Sequence, residues 1–261
     1  MTGENKKNIK MIVTDLDNTL LRRDKTISGY TADVFRRVRE RGVLVAFATA
    51  RDFRFVTEYI SPLFGIVPDI IIACNGALAR YNGYDLYKRL ILADMANALL
   101  SRFELVRCAS TENAYFLSGD YANDHWSIGK TATVITDFSD GIKGDALYLD
   151  GDAGKLRADI KDEFPEVRVV AYSDADFVTI VHREATKLNA LIAAERGLNI
   201  TADETAAFGD DYNDLEMLQN CGIGVAVDNA IDEVKAVATY VCGDCDEDGV
   251  AKWLEERILS E

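Results

Sequence analysis

A chain of 261 residues, 48% of them hydrophobic and three of them proline, can bury the core of one large domain or of two smaller ones. Its 44 acidic against 29 basic side chains leave a net charge of −15. That field repels nucleic acid and anionic membranes, which argues against both as partners, and any anionic ligand needs a local cation to overcome it. The lysine-bearing N-terminus precedes an apolar run too short for a signal-peptide core, and no segment reaches the length of a membrane span. Five scattered cysteines, Cys74, Cys108, Cys221, Cys242 and Cys245, suit reduced thiols, so a cytoplasmic location is expected.

Residues 10–15 predict a buried strand and 28–41 a helix, with Ser28 as N-cap and Gly42 just past its end. A second strand follows in "VLVAFAT", a helix over 52–64, and a third strand in "DIIIAC". Short Val- and Ile-rich runs separated by amphipathic helices point to a parallel sheet covered on both faces. From about Tyr81 the rhythm changes: a helix near 93–104, strands in "LVRCAS" and "AYFLSG", then a less regular polar stretch. "ALYLD", a helix at 153–163, "VRVVAY" and "FVTIVH" complete what reads as an inserted α+β layer. Around Lys187 the α/β rhythm resumes and runs to a final helix from about Asp248. The expected division is 1–81 with 186–261 as an α/β core, and 82–185 as the insert.

The stretch Asp15-Leu16-Asp17 sets two carboxylates close together among apolar neighbours. Their repulsion and desolvation call for a metal, a shared proton, or both. Thr49 follows the second strand, Lys187 stands where the chain leaves the insert, and "GDDYND" (209–214) follows a later strand. Each has a plainer reading alone: a turn, a helix cap, a solvated lysine. Open parallel sheets gather ligands at the carboxyl ends of their strands, however, and these residues fall there together and in order.

The combination resembles the haloacid dehalogenase-like phosphatase superfamily. The matching motifs are Asp15-Leu16-Asp17-Asn18-Thr19, then Thr49, then Lys187, then Gly209-Asp210-Asp211-Tyr212-Asn213-Asp214. An α+β cap inserted between the second and third motifs is similar to the Cof-type subgroup, as are "CNGA" at 74–77, "DNA" at 228–230 and "DEDGVAKWL" near the C-terminus. Two positions depart from that subgroup: Ala50 and Leu188 stand where glycine is usual. Ala50 raises the question of whether the phosphate loop needs a backbone conformation awkward for alanine.

The resemblance implies a Rossmann-like core with a cap, and Mg²⁺-dependent hydrolysis of small-molecule phosphate monoesters (sugar, nucleotide or cofactor phosphates) through an aspartyl-phosphate. Asp15 is then the nucleophile, and Asp17 the acid for the leaving alcohol and the base for water. Mg²⁺ suits hard oxygen ligands: carboxylates of Asp15 and Asp210 and the Asp17 carbonyl, oriented by Asp214 and Asn213. Thr49, Lys187 and the backbone amides beside Leu16 and Ala50 would hold the phosphate. Arg51 would touch phosphate or the organic part of the substrate, or else pair with a nearby acid. Four ionised aspartates (15, 17, 210, 214) against Mg²⁺ and Lys187 leave the site negative, so protonated Asp17 would make it neutral and ready to act as the acid.

Several other signals have plainer readings. Residues 244–249 with Glu255 match calcium-loop spacing, but a β-like run precedes them, and an acidic loop capping the last helix is the better reading. "CGDC" at 242–245 lacks a second pair. His125 and His182 are expected to serve the insert's fold. The alternatives are a phosphomutase, which returns phosphate to a sugar, and a receiver-type signalling module. A receiver lacks an inserted domain and carries its phosphorylated aspartate on a later strand. Asp120, Asn123, His125 and Trp126 are candidate substrate contacts in the insert.

Overall fold

The computed structural model describes residues 8–102, 106–111, 115–117, 132–134, 144–150 and 152–260. The chain opens with β1 (Met11–Thr14), α1 (Gly29–Glu40), β2 (Leu44–Ala48) and β3 (Ile70–Ala73). β1 and β3 are buried along their whole length, as strands covered on both faces must be. Ser28 caps α1 by accepting from the Thr31 amide, and α1 buries Val34, Phe35 and Val38. The helix expected over 52–64 contains a wide turn at Phe55–Ile60 leading into α2 (Ser61–Phe64), and Asp52 Oδ1 accepts from the Arg54 amide at its start.

Next comes a hairpin absent from the sequence reading, β4 (Leu78–Tyr81) and β5 (Tyr84–Lys88), paired antiparallel. Its turn is Asn82-Gly83, with φ of 48° and 84°. Two positive φ values are what a tight hairpin turn matched to strand twist requires, and Asn-Gly is its strongest local signal. β5 keeps the chain in the first sheet to Lys88, beyond the Tyr81 at which the sequence suggested that the core would pause.

The insert contains α3 (Ala93–Arg102), β6 (Val106–Ser110), β7 (Tyr115–Leu117), β8 (Ala132–Val134), β9 (Ala146–Asp150), α4 (Ala153–Glu163), β10 (Val167–Ala171) and β11 (Phe177–His182). The chain then adds α5 (Lys187–Leu198), β12 (Thr205–Gly209), α6 (Leu215–Asn220), β13 (Ile223–Ala226), α7 (Asp232–Val237), β14 (Tyr240–Val241) and α8 (Gly249–Leu254). Two sheets result: an eight-stranded one ordered β14-β13-β12-β1-β2-β3-β4-β5, and a six-stranded one ordered β10-β11-β9-β6-β7-β8. The first is parallel from β14 to β3; β1 lies between β12 and β2, so their carboxyl ends converge.

Side chains alternate across the smaller sheet. Leu147, Leu149, Val169, Val178 and Ile180 pack with Leu99 of α3 and Ile160 of α4. Tyr148, Val170 and Val181 point the other way and join the main core. A period of two thus gives this sheet one face for its own helices and one for the larger sheet. The two chain crossings between the layers lie side by side: Tyr87 Oη donates to the Glu184 carbonyl (2.8 Å) and Arg89 Nε to the Glu184 carboxylate (2.7 Å). Gly76, at φ 92°, also lies here; a Cβ on it would collide with the Thr186 carbonyl.

Near the C-terminus, Arg23 pairs with Asp244 and Asp246, while Asp248 accepts from Arg22 and Thr31. The acidic loop therefore staples residues 22–31 to the start of α8. Asp248 precedes α8 without a side-chain cap bond; at this helix start the acidic loop accepts through backbone carbonyls, Asp244 from the Gly249 amide and Asp248 from the Lys252 amide. Cys74, Cys221, Cys242 and Cys245 are free thiols. Among the described residues no helix is long and apolar enough to cross a membrane.

Candidate active site

The carboxyl end of β1 delivers Asp15, 6% exposed, into the sheet's central crevice. Lys187, the first residue of α5 and 1% exposed, reaches the same point. Thr186 sets that helix start by accepting from the Asn189 amide (2.9 Å). Lys187 Nζ donates to Asp15 Oδ1 and to Asp214 Oδ1, each at 2.6 Å. The other oxygen of Asp214 accepts from the amides of Asp210 (3.1 Å) and Asp211 (3.3 Å). The loop after β12 is thus wound around its own third acid, and a Cβ on Gly209 would stand 2.5 Å from the Asp214 side chain. Thr19 Oγ1 donates to Asp210 Oδ1 at 2.5 Å, tying the first motif to the last.

Carboxylate oxygens of Asp15, Asp210 and Asp214 lie within 4.8 Å of one another. Burial first, then mutual repulsion, pushes Asp15 and Asp210 above the usual carboxylate range, with Lys187 opposing. Burial works against the charge on Lys187, but Asp15 and Asp214 outweigh it and keep the ammonium protonated. An anionic, all-oxygen donor set fits a hard divalent cation such as Mg²⁺ and not a soft one.

Asp17 is held differently. Arg51 donates to both of its oxygens, Nε at 2.6 Å and Nη2 at 2.8 Å, and Lys25 Nζ lies 3.0 Å from Oδ1. The guanidinium also rests 4.0 Å over the Phe55 ring. Burial alone would raise Asp17, but Arg51 and then Lys25 outweigh it and hold the carboxyl well below its usual range. This corrects the charge count made from sequence, which omitted both cations: they favour the ionised form of Asp17, and Arg51 takes the ion-pair role of the two considered for it.

Thr49 is buried, and its hydroxyl accepts from the Arg51 amide (3.0 Å). Leu16 is buried, and its carbonyl accepts from Thr19 and Leu21. Ala50 is not among the residues with positive φ, so alanine carries no left-handed strain there; its carbonyl accepts from Tyr148 Oη at 3.2 Å. Leu188 lies in the first turn of α5. Asn213 Nδ2 donates to Asn75 Oδ1 (2.8 Å), a residue that sequence reasoning quoted within "CNGA" but gave no role. Lys25 was also missed; its φ of 65° is the only local oddity and not one a sequence displays. From the insert, the Ser173 amide donates to Asp211 Oδ2 (2.9 Å), and Asn18 Nδ2 donates to Asp174 Oδ2 (2.8 Å). His182 sits in β11, its Nδ1 accepting from the Glu184 amide. Asp120, Asn123, His125 and Trp126 lie outside the described residues.

The sequence matches the haloacid dehalogenase-like hydrolases over residues 12–254, from within β1 to the end of α8. The chain belongs to that family. A relative from Bacillus subtilis, 5-amino-6-(5-phospho-D-ribitylamino)uracil phosphatase YitU, is 28% identical and aligns over 94% of this chain and 96% of its own length. Among solved structures, a haloacid dehalogenase-like hydrolase from Bacteroides thetaiotaomicron superposes with a TM-score of 0.82 at 24% identity, covering 95% of this chain and 99% of that one. The HAD subclass IIB sugar phosphatase BT4131 superposes with a TM-score of 0.78 at 22% identity, covering 95% and 98%. The likeness spans the insert as well as the catalytic sheet, which fits the Cof-type branch of haloacid dehalogenase-like hydrolases.

Proposed function

We propose that the chain is a Mg²⁺-dependent phosphatase of small-molecule phosphate monoesters that works through an aspartyl-phosphate on Asp15. The observation carrying this reading is the Lys187 ammonium held 2.6 Å from both Asp15 and Asp214. It keeps one oxygen of a buried carboxylate oriented at a strand end, where an otherwise unpaired charge would protonate. In the first step an Asp15 oxygen bonds to phosphorus and the bond to the leaving oxygen breaks, with Asp17 giving that oxygen its proton. In the second, water attacks the same phosphorus, Asp17 takes its proton, and the Asp15 carboxylate and inorganic phosphate are released. Mg²⁺ held by Asp15, Asp210 and the Asp17 carbonyl, with Asp214 and Asn213 behind, would supply positive charge opposite the phosphoryl oxygens.

Lys187 neutralises the nucleophile and the transferring group, and Thr49 contributes a hydroxyl donor. Asp17 can become an acid only when the Arg51 fork turns away, and a bound dianion is the natural competitor for it. Residues 82–185 would act as the cap over a core of 1–81 and 186–261 and select the leaving group. YitU acts on a ribityl phosphate and BT4131 on sugar phosphates by their names, which favours phosphorylated polyols and sugars for a first panel.

The test is phosphate release from p-nitrophenyl phosphate and that panel, with Mg²⁺ or with EDTA, for the parent and Asp15→Asn. Metal-dependent release that falls by on the order of 10³ or more in the variant is expected. Release needing a bisphosphate activator would move the reading to a mutase.

A further inference from the structure

The turn Cys74–Gly76 plays no part in the mechanism above, yet it is built in an uncommon backbone. Cys74, Asn75 and Gly76 have φ of 50°, 55° and 92°, a region that glycine enters freely, asparagine tolerates and most other side chains avoid. Asn75 is 1% exposed, and both ends of its amide are used. Oδ1 accepts from Asn213 Nδ2, and Nδ2 donates to Tyr172 Oη, each at 2.8 Å. Tyr172 Oη shares a further hydrogen bond with Thr179 Oγ1 at 2.7 Å, and its ring lies 5.3 Å from that of Phe177. Four side chains therefore form one connected path. It starts on the smaller sheet, crosses the turn after β3, and ends in the loop that carries Asp210 and Asp214.

The residue type is narrowly specified. Glycine would suit the backbone but has no amide, and an ionised aspartate would accept from Asn213 but lose the donor that Tyr172 receives. Asparagine meets both demands. Its neighbour Gly76 leaves no room for a Cβ beside the Thr186 carbonyl, one residue before Lys187, so the turn is backed closely from behind.

We infer that Asn75 is a positioning residue that couples docking of the smaller sheet to the geometry of the acidic loop. With Tyr172 docked, the Asn75 amide has one orientation, and Asn213 is fixed beside Asp214, which in turn holds Lys187 and the amides of Asp210 and Asp211. With Tyr172 withdrawn, the amide loses its outer partner and the loop loses that restraint. The loop is then fully ordered only while the smaller sheet is docked through Tyr172. The kinetic part of this inference rests on the phosphatase reading; the structural part does not.

Hydrogen–deuterium exchange on the full chain without substrate separates the two. The variants are Tyr172→Phe, which keeps the ring against Phe177, Asn75→Gly, which keeps the backbone, and the double. Exchange in peptides covering 210–214 should rise several-fold in each single variant, and the double should exceed Asn75→Gly by nothing, because links in series do not add. With p-nitrophenyl phosphate and Mg²⁺, kcat should fall about tenfold in all three while KM moves far less. Unchanged exchange at 210–214 in Tyr172→Phe, or effects that multiply in the double, would overturn the coupling. So would a lowered melting temperature with kcat intact, the mark of a purely structural network. The expected exchange pattern in a protein that releases no phosphate would support the coupling and count against the phosphatase reading instead.

Discussion

Asp15 and Asp17 are separated by one residue and live in opposite surroundings. Asp15 is buried and shares a buried ammonium with Asp214, all three groups being fixed by strand and helix ends. Asp17 has a side chain 27% exposed and is gripped by Arg51 and Lys25, which come from loops and are themselves partly exposed. The first arrangement is permanent: breaking it strands a charge away from water. The second can open, because water and other anions can take over either partner. A nucleophile needs the former, and a group that must gain and lose a proton within one turnover needs the latter.

Removing the cation from each side should separate the two most sharply. Lys187→Met leaves Asp15 and Asp214 facing each other in the core. Loss of about 3–5 kcal/mol in urea unfolding is expected, together with loss of phosphate release. Arg51→Gln opens the exposed pair and should change stability by no more than about 1 kcal/mol, while lowering kcat/KM through lost positioning of Asp17. Equal stability losses in the two variants would break the distinction. Asp17→Asn should lower kcat by about 10²–10⁴ with the melting temperature close to the parent's.

Glu195 supplies the control, a buried carboxyl whose partner is a hydroxyl, Thr205 Oγ1 at 2.8 Å. Burial raises it above the usual range, with the Thr205 bond opposing. A raised carboxyl binds its proton more tightly in the folded chain, so its unfavourable contribution is absent in acid and grows as pH rises through the unfolded value. Glu195→Gln should therefore be more stable than the parent at neutral pH and converge with it toward pH 4, measured by thermal unfolding at several pH values. It is the smallest of these effects.

The catalytic sheet was legible because strands covered on both faces read as unbroken apolar runs. Polar residues at their ends, Asp15, Thr49 and Asp210, then stand out against them. Lys187 was legible by position and motif. The partners of Asp17 were not: Arg51 and Lys25 have long side chains with several acids in reach, and the fold makes the choice. Asn75 escaped because an asparagine before glycine reads as an ordinary turn; only the approach of Tyr172 and Asn213, far away in sequence, gives it a task. The β4–β5 hairpin was a different kind of miss. Its Asn82-Gly83 signal is present in the sequence, but the change of rhythm near Tyr81 masks it by suggesting the end of the layer.

The pairing of Tyr87 and Arg89 with Glu184 means that the insert leaves and rejoins the larger sheet at nearly one point. To the catalytic layer, everything between is a closed loop whose ends are already tied. The entropy of closing such a loop grows only logarithmically, by about 0.6 kcal/mol for each doubling of length. The closure term therefore changes little whether this layer carries a longer, shorter or different module on the same stem, provided that the module supplies an apolar face where Tyr148, Val170 and Val181 now pack. The stem makes the selecting half of the molecule an exchangeable cassette, and grafting one from a relative at residues 88 and 184 is the construction it invites.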